Sequence, residues 1–281
     1  PYMAVITSAD PDHLDVYGTP QAYRESFEKF TSLIRPGGAL MMKKGIEVTP
    51  DLQSCVRLYT YSASDIPADF HAVNILVGNG EIFFDFVSPG FYLKNVRLGV
   101  RVRTNIEIGI AAMAIAWLNG VTAEEMLTAM ESFTGVQRRF DFQVKRGTIV
   151  YIDDYAHHPR ELQSSIHSVK ELYNGHRVTG VFQPHLYTRT RDFADDFASA
   201  LSLLDRLILL DIYPAREEPI PGVTSDMILD KVTIRDKALC RKEELMALLE
   251  KENLDVLITL GAGDIDRFVE PIKKMLNKKY G

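Results

Sequence analysis

Apolar positions fall into two kinds of run along this chain: short unbroken or alternating blocks, and longer stretches with an apolar residue at every third or fourth position. The first kind predicts strands and the second predicts amphipathic helices. In the first half, "YMAVIT" reads as a buried strand, and "TPQAYRESFEKFTSLI" as a helix opened by Thr19 and Pro20. "GALMMKKG" is a further strand between glycines, and "VRLYTYS", "DFHAVNILVGN", "EIFFDFVS" and "FYLKNVRLGV" are strand-rich, with Gly78–Gly80 as a hairpin turn. "NIEIGIAAMAIAWLNG" predicts a helix stopped by Gly120. "TAEEMLTAMESF" predicts another, started by a capping box of Thr122 and Glu125.

A break at "TGVQRRF" separates this half from the next, which opens on the hairpin "FDFQVKRGTIVYIDD". Regular alternation follows, with strands predicted at 149–153, 178–183, 206–211, 232–236 and 256–261. Helices are predicted near 159–173, 191–204, 242–252 and 265–279. Leu162, Ile166, Val169 and Tyr173 keep the helical spacing. Short apolar runs alternating with helices predict an α/β protein whose second sheet is mainly parallel and covered on both faces. A domain boundary is expected near residues 136–140.

Composition narrows this picture only slightly. The apolar fraction of 46% and charged fraction of 25% are those of an ordinary globular chain, and 281 residues suffice for two domains. A net charge of −6 gives no electrostatic reason to expect a nucleic-acid partner. Cys55 and Cys240 are the two cysteines and neither sits in a metal-binding spacing, which suits a reducing compartment. No apolar run has the length of a membrane span. The opening "PYMAVITSAD" is already strand-like and lacks an initiator methionine, so a longer parent is expected.

The candidate chemistry gathers after the strands of the second half. "IDDYAHHP" follows the first, "FQPHLYTRTRD" the second, "LDIYPAREEPIPG" the third and "LGAGD" the last. Ligands of open α/β sheets sit outside the carboxyl ends of the strands, so these four loops would line one edge. His157 and His158 before Pro159 suit a polar turn with proline at the first helical position. They equally suit an anion held at a helix N-terminus. Arg189 and Arg191 suit solvated side chains, or a two-pronged grip on a carboxylate or phosphate. "GAGD" is too short for a dinucleotide fingerprint and reads as a tight turn, and no GxxxxGK[ST] phosphate loop is present. In the first half, "SADPDHLDVYG" offers Asp10, Asp12, His13 and Asp15, of which one or two would suffice for a magnesium ion that keeps its waters.

In their order, "DDYAHHP", "FQPHLYTRTRDF", "YPAREEPIPGV" and "GAGDI", preceded by "ITSADPDHLDVYG" and "GVQRRF", resemble the ATP-dependent Mur ligases of peptidoglycan synthesis. Within that family the likeness is to the branch that adds the first amino acid. The resemblance implies a partial central ATPase-type α/β domain over 1–137, without its phosphate loop. A Rossmann-like C-terminal domain with a mainly parallel sheet would cover 138–281. It implies ATP and Mg2+ as cofactors, with UDP-N-acetylmuramate and L-alanine joined through an acyl phosphate in the bacterial cytoplasm, without nucleic acid or membrane insertion. Attachment of a preformed peptide to the same sugar nucleotide, and a non-catalytic binding module, are the alternatives. It further implies that His13 ligates magnesium, that Tyr155, His157 and Arg189 surround the amino acid, and that Asn105, His158 and Arg138 serve the nucleotide. Arg138 or Arg139 would lie at the interdomain hinge. Without the phosphate loop the chain alone is expected to be inactive. Two departures concern the site directly: many relatives carry arginine where this chain has Leu186. The family's His-Asn-x-x-Asn stretch is "TNIEI" here, keeping Asn105 but with Thr104 and Ile108 in place of the others.

Overall fold

The structure, a computed structural model, describes residues 1–10, 14–63 and 67–281. Two compact units emerge from its contacts: Pro1–Val77 with Glu81–Phe133, and Thr134–Gly281 with Gly78–Gly80.

The first unit is built on a six-stranded sheet in simple sequential order: β1 (Met3–Ile6), β2 (Ala39–Lys43), β3 (Arg57–Ser62), β4 (Phe70–Gly78), β5 (Glu81–Ser88) and β6 (Phe91–Arg97). Strands β1 to β4 run parallel, whereas β6 returns antiparallel to β5. The turn after β4 has positive φ at both Asn79 and Gly80 (53° and 69°), the two-residue hairpin geometry that asparagine and glycine tolerate. A register shift between Phe84 and Phe86 turns Asp85 into a local anchor. Its carboxylate accepts from Asn74 Nδ2 (2.8 Å), the Tyr92 hydroxyl (2.6 Å) and the Asn95 backbone N–H (2.8 Å). Both asparagines have positive φ, so these bonds compensate a strained backbone.

Helix Pro20–Ser32 starts where the sequence places it, with Thr19 Oγ1 accepting from Ala22 N at 3.1 Å and proline in the first turn. The apolar helix Thr104–Leu118 buries Ile106, Ile110, Met113 and Ala114. Its Trp117 meets Phe70, which stacks on Phe86. A Cβ at Gly109 would come 2.8 Å from Met130 Cε of helix Ala123–Ser132, where the two helices meet. "YMAVIT" is less buried than its pattern suggests: β1 lies at the end of the sheet order, and Val5 is 36% exposed.

The second unit carries β7 (Asp141–Arg146), β8 (Ile149–Asp154), β9 (Val178–Phe182), β10 (Arg206–Leu210), β11 (Lys237–Cys240) and β12 (Val256–Leu260). Their spatial order is β11–β10–β9–β12–β8–β7, and every pair is parallel except the β7–β8 hairpin. Strands β8, β9 and β12 are buried along their whole length, which is why they read as mainly apolar runs rather than alternating ones. Helices Pro159–Leu172, Ala194–Leu201, Lys242–Lys251 and Val269–Tyr280 connect or follow them. The last strand, β12, enters between β8 and β9, so three successive loaded loops end at neighbouring places on one edge.

Three boundaries differ from the sequence reading. The strand predicted at 232–236 is displaced to Lys237–Cys240, which pairs in register with Leu207–Leu210. The β-branched residues at 232–234 instead close a turn after helix Asp226–Leu229, where Val232 N donates to Ile228 O and Lys237 Nζ donates to the Leu229 and Val232 carbonyls. The helix predicted at 191–204 is two pieces, Tyr187–Asp192 and Ala194–Leu201, broken at Phe193 (φ −121°, ψ 21°). The last helix begins as a 3-10 turn over Asp264–Phe268.

Candidate active site

The carboxyl edge of the second sheet starts from a buried polar spine. Asp153 and Asp154 end β8 with both side chains out of solvent. Thr259 Oγ1 donates to Asp153 Oδ1 at 2.6 Å, which leaves the Tyr151 hydroxyl to donate to Thr259 Oγ1 at 3.0 Å. Arg138 Nε donates to the other Asp153 oxygen at 3.1 Å, and Arg138 Nη2 to the Gly261 carbonyl at 2.7 Å. Burial raises the pKa of Asp153 against the pull of the threonine hydroxyl and the guanidinium. Asp154, raised likewise by burial, accepts from the Ser165 hydroxyl and from Ala156 N. These bonds fix the direction in which the chain leaves β8.

Tyr155 comes next, and two guanidinium groups lie over its ring, with Arg138 Cζ at 5.2 Å and Arg139 Cζ at 5.4 Å from the ring centroid. The Tyr155 backbone N–H donates to Arg138 O at 2.7 Å, with Arg138 in the left-handed region (φ 61°). Arg138, expected at the nucleotide, thus has Nε and Nη2 engaged within this unit and braces the Tyr155 loop.

His157 meets Tyr155 edge-on, with ring centroids 5.2 Å apart. Its Nδ1 lies 3.0 Å from the Tyr155 carbonyl. A carbonyl can only accept, so Nδ1 donates to it and Nε2 is left for another partner. The backbone N–H groups of His157 and His158 both donate to Glu161 Oε2, at 2.9 and 3.1 Å. His158 completes a capping box: its Nδ1 accepts from Arg160 N at 3.4 Å, and Pro159 occupies the first turn of helix Pro159–Leu172. The His158 ring packs against Phe193 at 5.1 Å and lines a cavity of about 410 Å3 with Arg160, Gln163, Asp196 and Ser199.

The loop after β9 supplies His185 and Arg189. His185 stacks on Tyr213, which follows β10, at 5.8 Å and 27°, and stands 6.0 Å from the His157 ring. The two loops are stitched by an isolated bridge between His185 and Tyr213. Tyr213 N donates to Pro184 O at 2.8 Å and Leu186 N to Tyr213 O at 3.0 Å. Burial, then the charges of Arg189 and His157, lower the pKa of His185. Arg189 Nη1 makes a long contact of 3.5 Å to His185 Nδ1, and a guanidinium only donates, so His185 is neutral with its proton on Nε2. Among the described residues Arg189 has no carboxylate at ion-pairing distance, whereas Arg191 pairs with Asp192 at 2.7 Å. Arg189 is therefore a guanidinium available to an anionic ligand.

The loop after β12 closes the group. Gln183, fully buried, receives Ile265 N on its carbonyl (2.9 Å) and donates to Asp264 Oδ1 (2.8 Å), while Lys242 Nζ donates to Asp264 Oδ2 at 2.7 Å. A Cβ at Gly263 would lie 2.7 Å from Tyr213 Cβ, which accounts for glycine in "GAGD".

Of the residues singled out in sequence, His157 and Arg189 thus both meet His185, and Tyr155 joins them through His157. His185 and Tyr213 were not singled out. His158 has its place at the helix cap and against Phe193. Asn105 lies in the other unit, near the start of helix Thr104–Leu118, where its N–H donates to Val102 O. That helix also bears Glu107, paired with Lys43 at 2.8 Å. Lys43 lines a second cavity, of about 360 Å3, beyond β1 and β2, with Ser8, Asp10, Arg24, Lys44 and Glu47. His13, expected as a metal ligand, lies outside the described residues, as does Asp12. Among the described residues no three histidine, cysteine or acidic side chains converge as a metal site.

Residues 1–116 match the Mur ligase middle domain and residues 138–263 the Mur ligase glutamate ligase domain. The UDP-N-acetylmuramate–L-alanine ligase of Parabacteroides distasonis is 65% identical over 279 residues, covering 99% of this chain and 60% of that protein. The ligase of the same name from Phocaeicola vulgatus is 59% identical over 280 residues, covering 99% of this chain and 61% of the relative. The crystal structure of the UDP-N-acetylmuramate–alanine ligase of Thermotoga maritima superposes with a TM-score of 0.79 at 24% identity, over 99% of this chain and 60% of that one. The chain therefore spans about 60% of the length of these relatives.

Proposed function

The chain belongs to the Mur ligase family, and from that premise we propose that it forms the middle and C-terminal parts of an ATP-dependent ligase joining L-alanine to UDP-N-acetylmuramate in the bacterial cytoplasm. The observation that carries this reading is the convergence of Tyr155, His157, His185 and an acid-free Arg189 on one sheet edge. A small amino acid offers complementary chemistry there. Arg189 would grip its carboxylate through two parallel N–H donors. His157, held by its Nδ1–H on the Tyr155 carbonyl, would turn its Nε2 lone pair to the amine. The amine must lose a proton before it attacks an acyl phosphate. The C–N bond then forms, the carbonyl C–O bond to phosphate breaks, and inorganic phosphate leaves. The Nε2 of His157 beside the amine would provide a place for the departing proton.

The phosphate end of the reaction needs groups that these residues do not supply. The chain has no GxxxxGK[ST] loop, and the magnesium ligand expected at His13 lies outside the described residues. ATP and Mg2+ are thus proposed cofactors of the whole protein. Asn105 and His158 are proposed nucleotide contacts on the family likeness alone.

The test is phosphate release by the full-length protein with ATP and UDP-N-acetylmuramate, comparing L-alanine, L-serine, glycine and a peptide as acceptors. L-Alanine is expected to give the highest kcat/KM, and preference for the peptide would refute the reading. The present chain assayed alone is expected to release no phosphate in response to alanine.

A further inference from the structure

Arg189 sits on helix Tyr187–Asp192, a short helix whose own sequence gives it no cap. Its N-cap is Leu186, a residue without a polar side chain, in a backbone conformation (φ 72°, ψ 135°) that side-chain-bearing residues rarely adopt. Such a turn persists only where its surroundings hold it. The Leu186 N–H donates to Tyr213 O, and the Leu186 carbonyl accepts from Thr190 N and Thr190 Oγ1 (3.1 and 2.8 Å). The remaining restraint arrives from the loop after β10. Glu217 Oε2 accepts from Thr188 N at 3.0 Å, and Glu217 Oε1 accepts from Thr188 Oγ1 at 2.5 Å. Glu217 is itself placed by a turn, its N–H donating to Pro214 O at 2.9 Å with Ala215 at φ 52°.

We infer that Glu217 is a positioning residue for the amino-acid site: its carboxylate caps the Arg189 helix from a neighbouring loop and so sets the direction of the Arg189 guanidinium. Two features make this more than a surface hydrogen bond. Both carboxylate oxygens are engaged by the residue immediately before Arg189. The same loop carries Tyr213, which stacks on His185, and His185 is the side chain that Arg189 Nη1 contacts. Glu217 and Tyr213 thus hold Arg189 through its backbone and through its neighbour. An anionic cap at the start of a helix also matches the partial positive charge of the free N–H groups there.

This inference rests on the reading of Arg189 as the carboxylate grip, and its test separates the two. In the full-length protein, kcat and the KM values for L-alanine and ATP are measured for wild type, Arg189→Ala, Glu217→Ala, Glu217→Gln, Thr188→Ala and the Arg189→Ala/Glu217→Ala pair. Glu218→Gln, an exposed neighbour, serves as control. Glu217→Ala is expected to raise the alanine KM about tenfold, the scale of one lost charge-assisted bond. Glu217→Gln, which keeps one acceptor oxygen, should raise it roughly two- to threefold. The ATP KM and kcat should stay within about twofold of wild type. The double variant should be no worse than Arg189→Ala, because a cap has nothing left to orient once the guanidinium is gone.

An unchanged alanine KM in Arg189→Ala overturns the amino-acid reading, and the inference falls with it. If Arg189→Ala raises that KM while Glu217→Ala does not, or if the two effects multiply fully in the double variant, Glu217 has no positioning role and the amino-acid reading stands. Equal rises in the alanine and ATP KM values also overturn the inference. Should Glu217→Ala fail to fold, Glu217→Gln and Thr188→Ala carry the same comparison, and no change in the alanine KM for both rejects the role.

Discussion

His185 owes its properties to its neighbours rather than to its place in sequence. Its pKa is pushed down from 6.5 by burial, by Arg189 and by His157. Above that ordinary value both folded and unfolded states hold a neutral ring, and the group contributes no pH dependence. As pH falls below it, the unfolded chain takes up the proton more readily than the folded one, so stability declines. Thermal unfolding followed between about pH 5 and pH 8 should show a steeper acid loss for wild type than for His185→Asn. Identical slopes would mean that His185 titrates normally. Tyr155, His157 and Arg189 were legible because each is a conspicuous polar residue beside a predicted strand end. His185 stands in such a run too, but its significance comes from Tyr213 in the next loop and from the Arg189 contact. Neither relation leaves a trace in local spacing. Arg138 was legible as a notable arginine but not as a brace, since its partners Asp153, at the end of β8, and Gly261, just past β12, are brought near only by the fold.

Among the elements, those with chemical punctuation were readable and those defined by pairing were not. Thr122 and Glu125 announce helix Ala123–Ser132. In the structure Thr122 N and Oγ1 donate to Glu125 Oε2 (2.9 and 2.7 Å), while Glu125 N donates back to Thr122 Oγ1 (3.3 Å). Replacing Thr122 by alanine removes one half of that exchange and should cost about 1 kcal/mol of unfolding free energy, with Thr122→Asn or Thr122→Ser recovering most of it. Urea titration checks this, and a loss shared equally by the serine variant would point to packing instead. The cap at His158 followed the same rule with a less usual residue, and Glu161 three positions later was the available signal. Strand β11 had no such signal. Its "KALC" begins with a lysine, whereas the more strand-like residues at 232–234 close a helix end, so propensity lost to pairing with β10.

At the scale of the molecule, alternating strands and helices announced a parallel sheet, but not the order of its strands. Order depends on where the last strand goes, and β12 enters between β8 and β9, joining residues far apart in the chain. That insertion is also what completes a core. Tyr151 on β8, Val181 on β9, Ile208 on β10 and Leu257 on β12 belong to one buried cluster with Leu245, Leu249, Ile272 and Leu276 from the two C-terminal helices. All of these residues lie after Thr134, so this apolar face of the second sheet and the helices on it find partners within their own unit. A segment with a closed core should fold by itself. Residues 134–281 produced alone are therefore expected to give an α/β far-UV spectrum and a single cooperative transition in denaturant. A shortened segment ending before β12 should lose that cooperativity, because β8 and β9 would each be left with an open edge and Thr259 would no longer bond Asp153. If residues 134–281 unfold without a cooperative transition while the whole chain unfolds with one, the core is not self-sufficient, and the Tyr155–His157–Arg189 cluster depends on residues before 134.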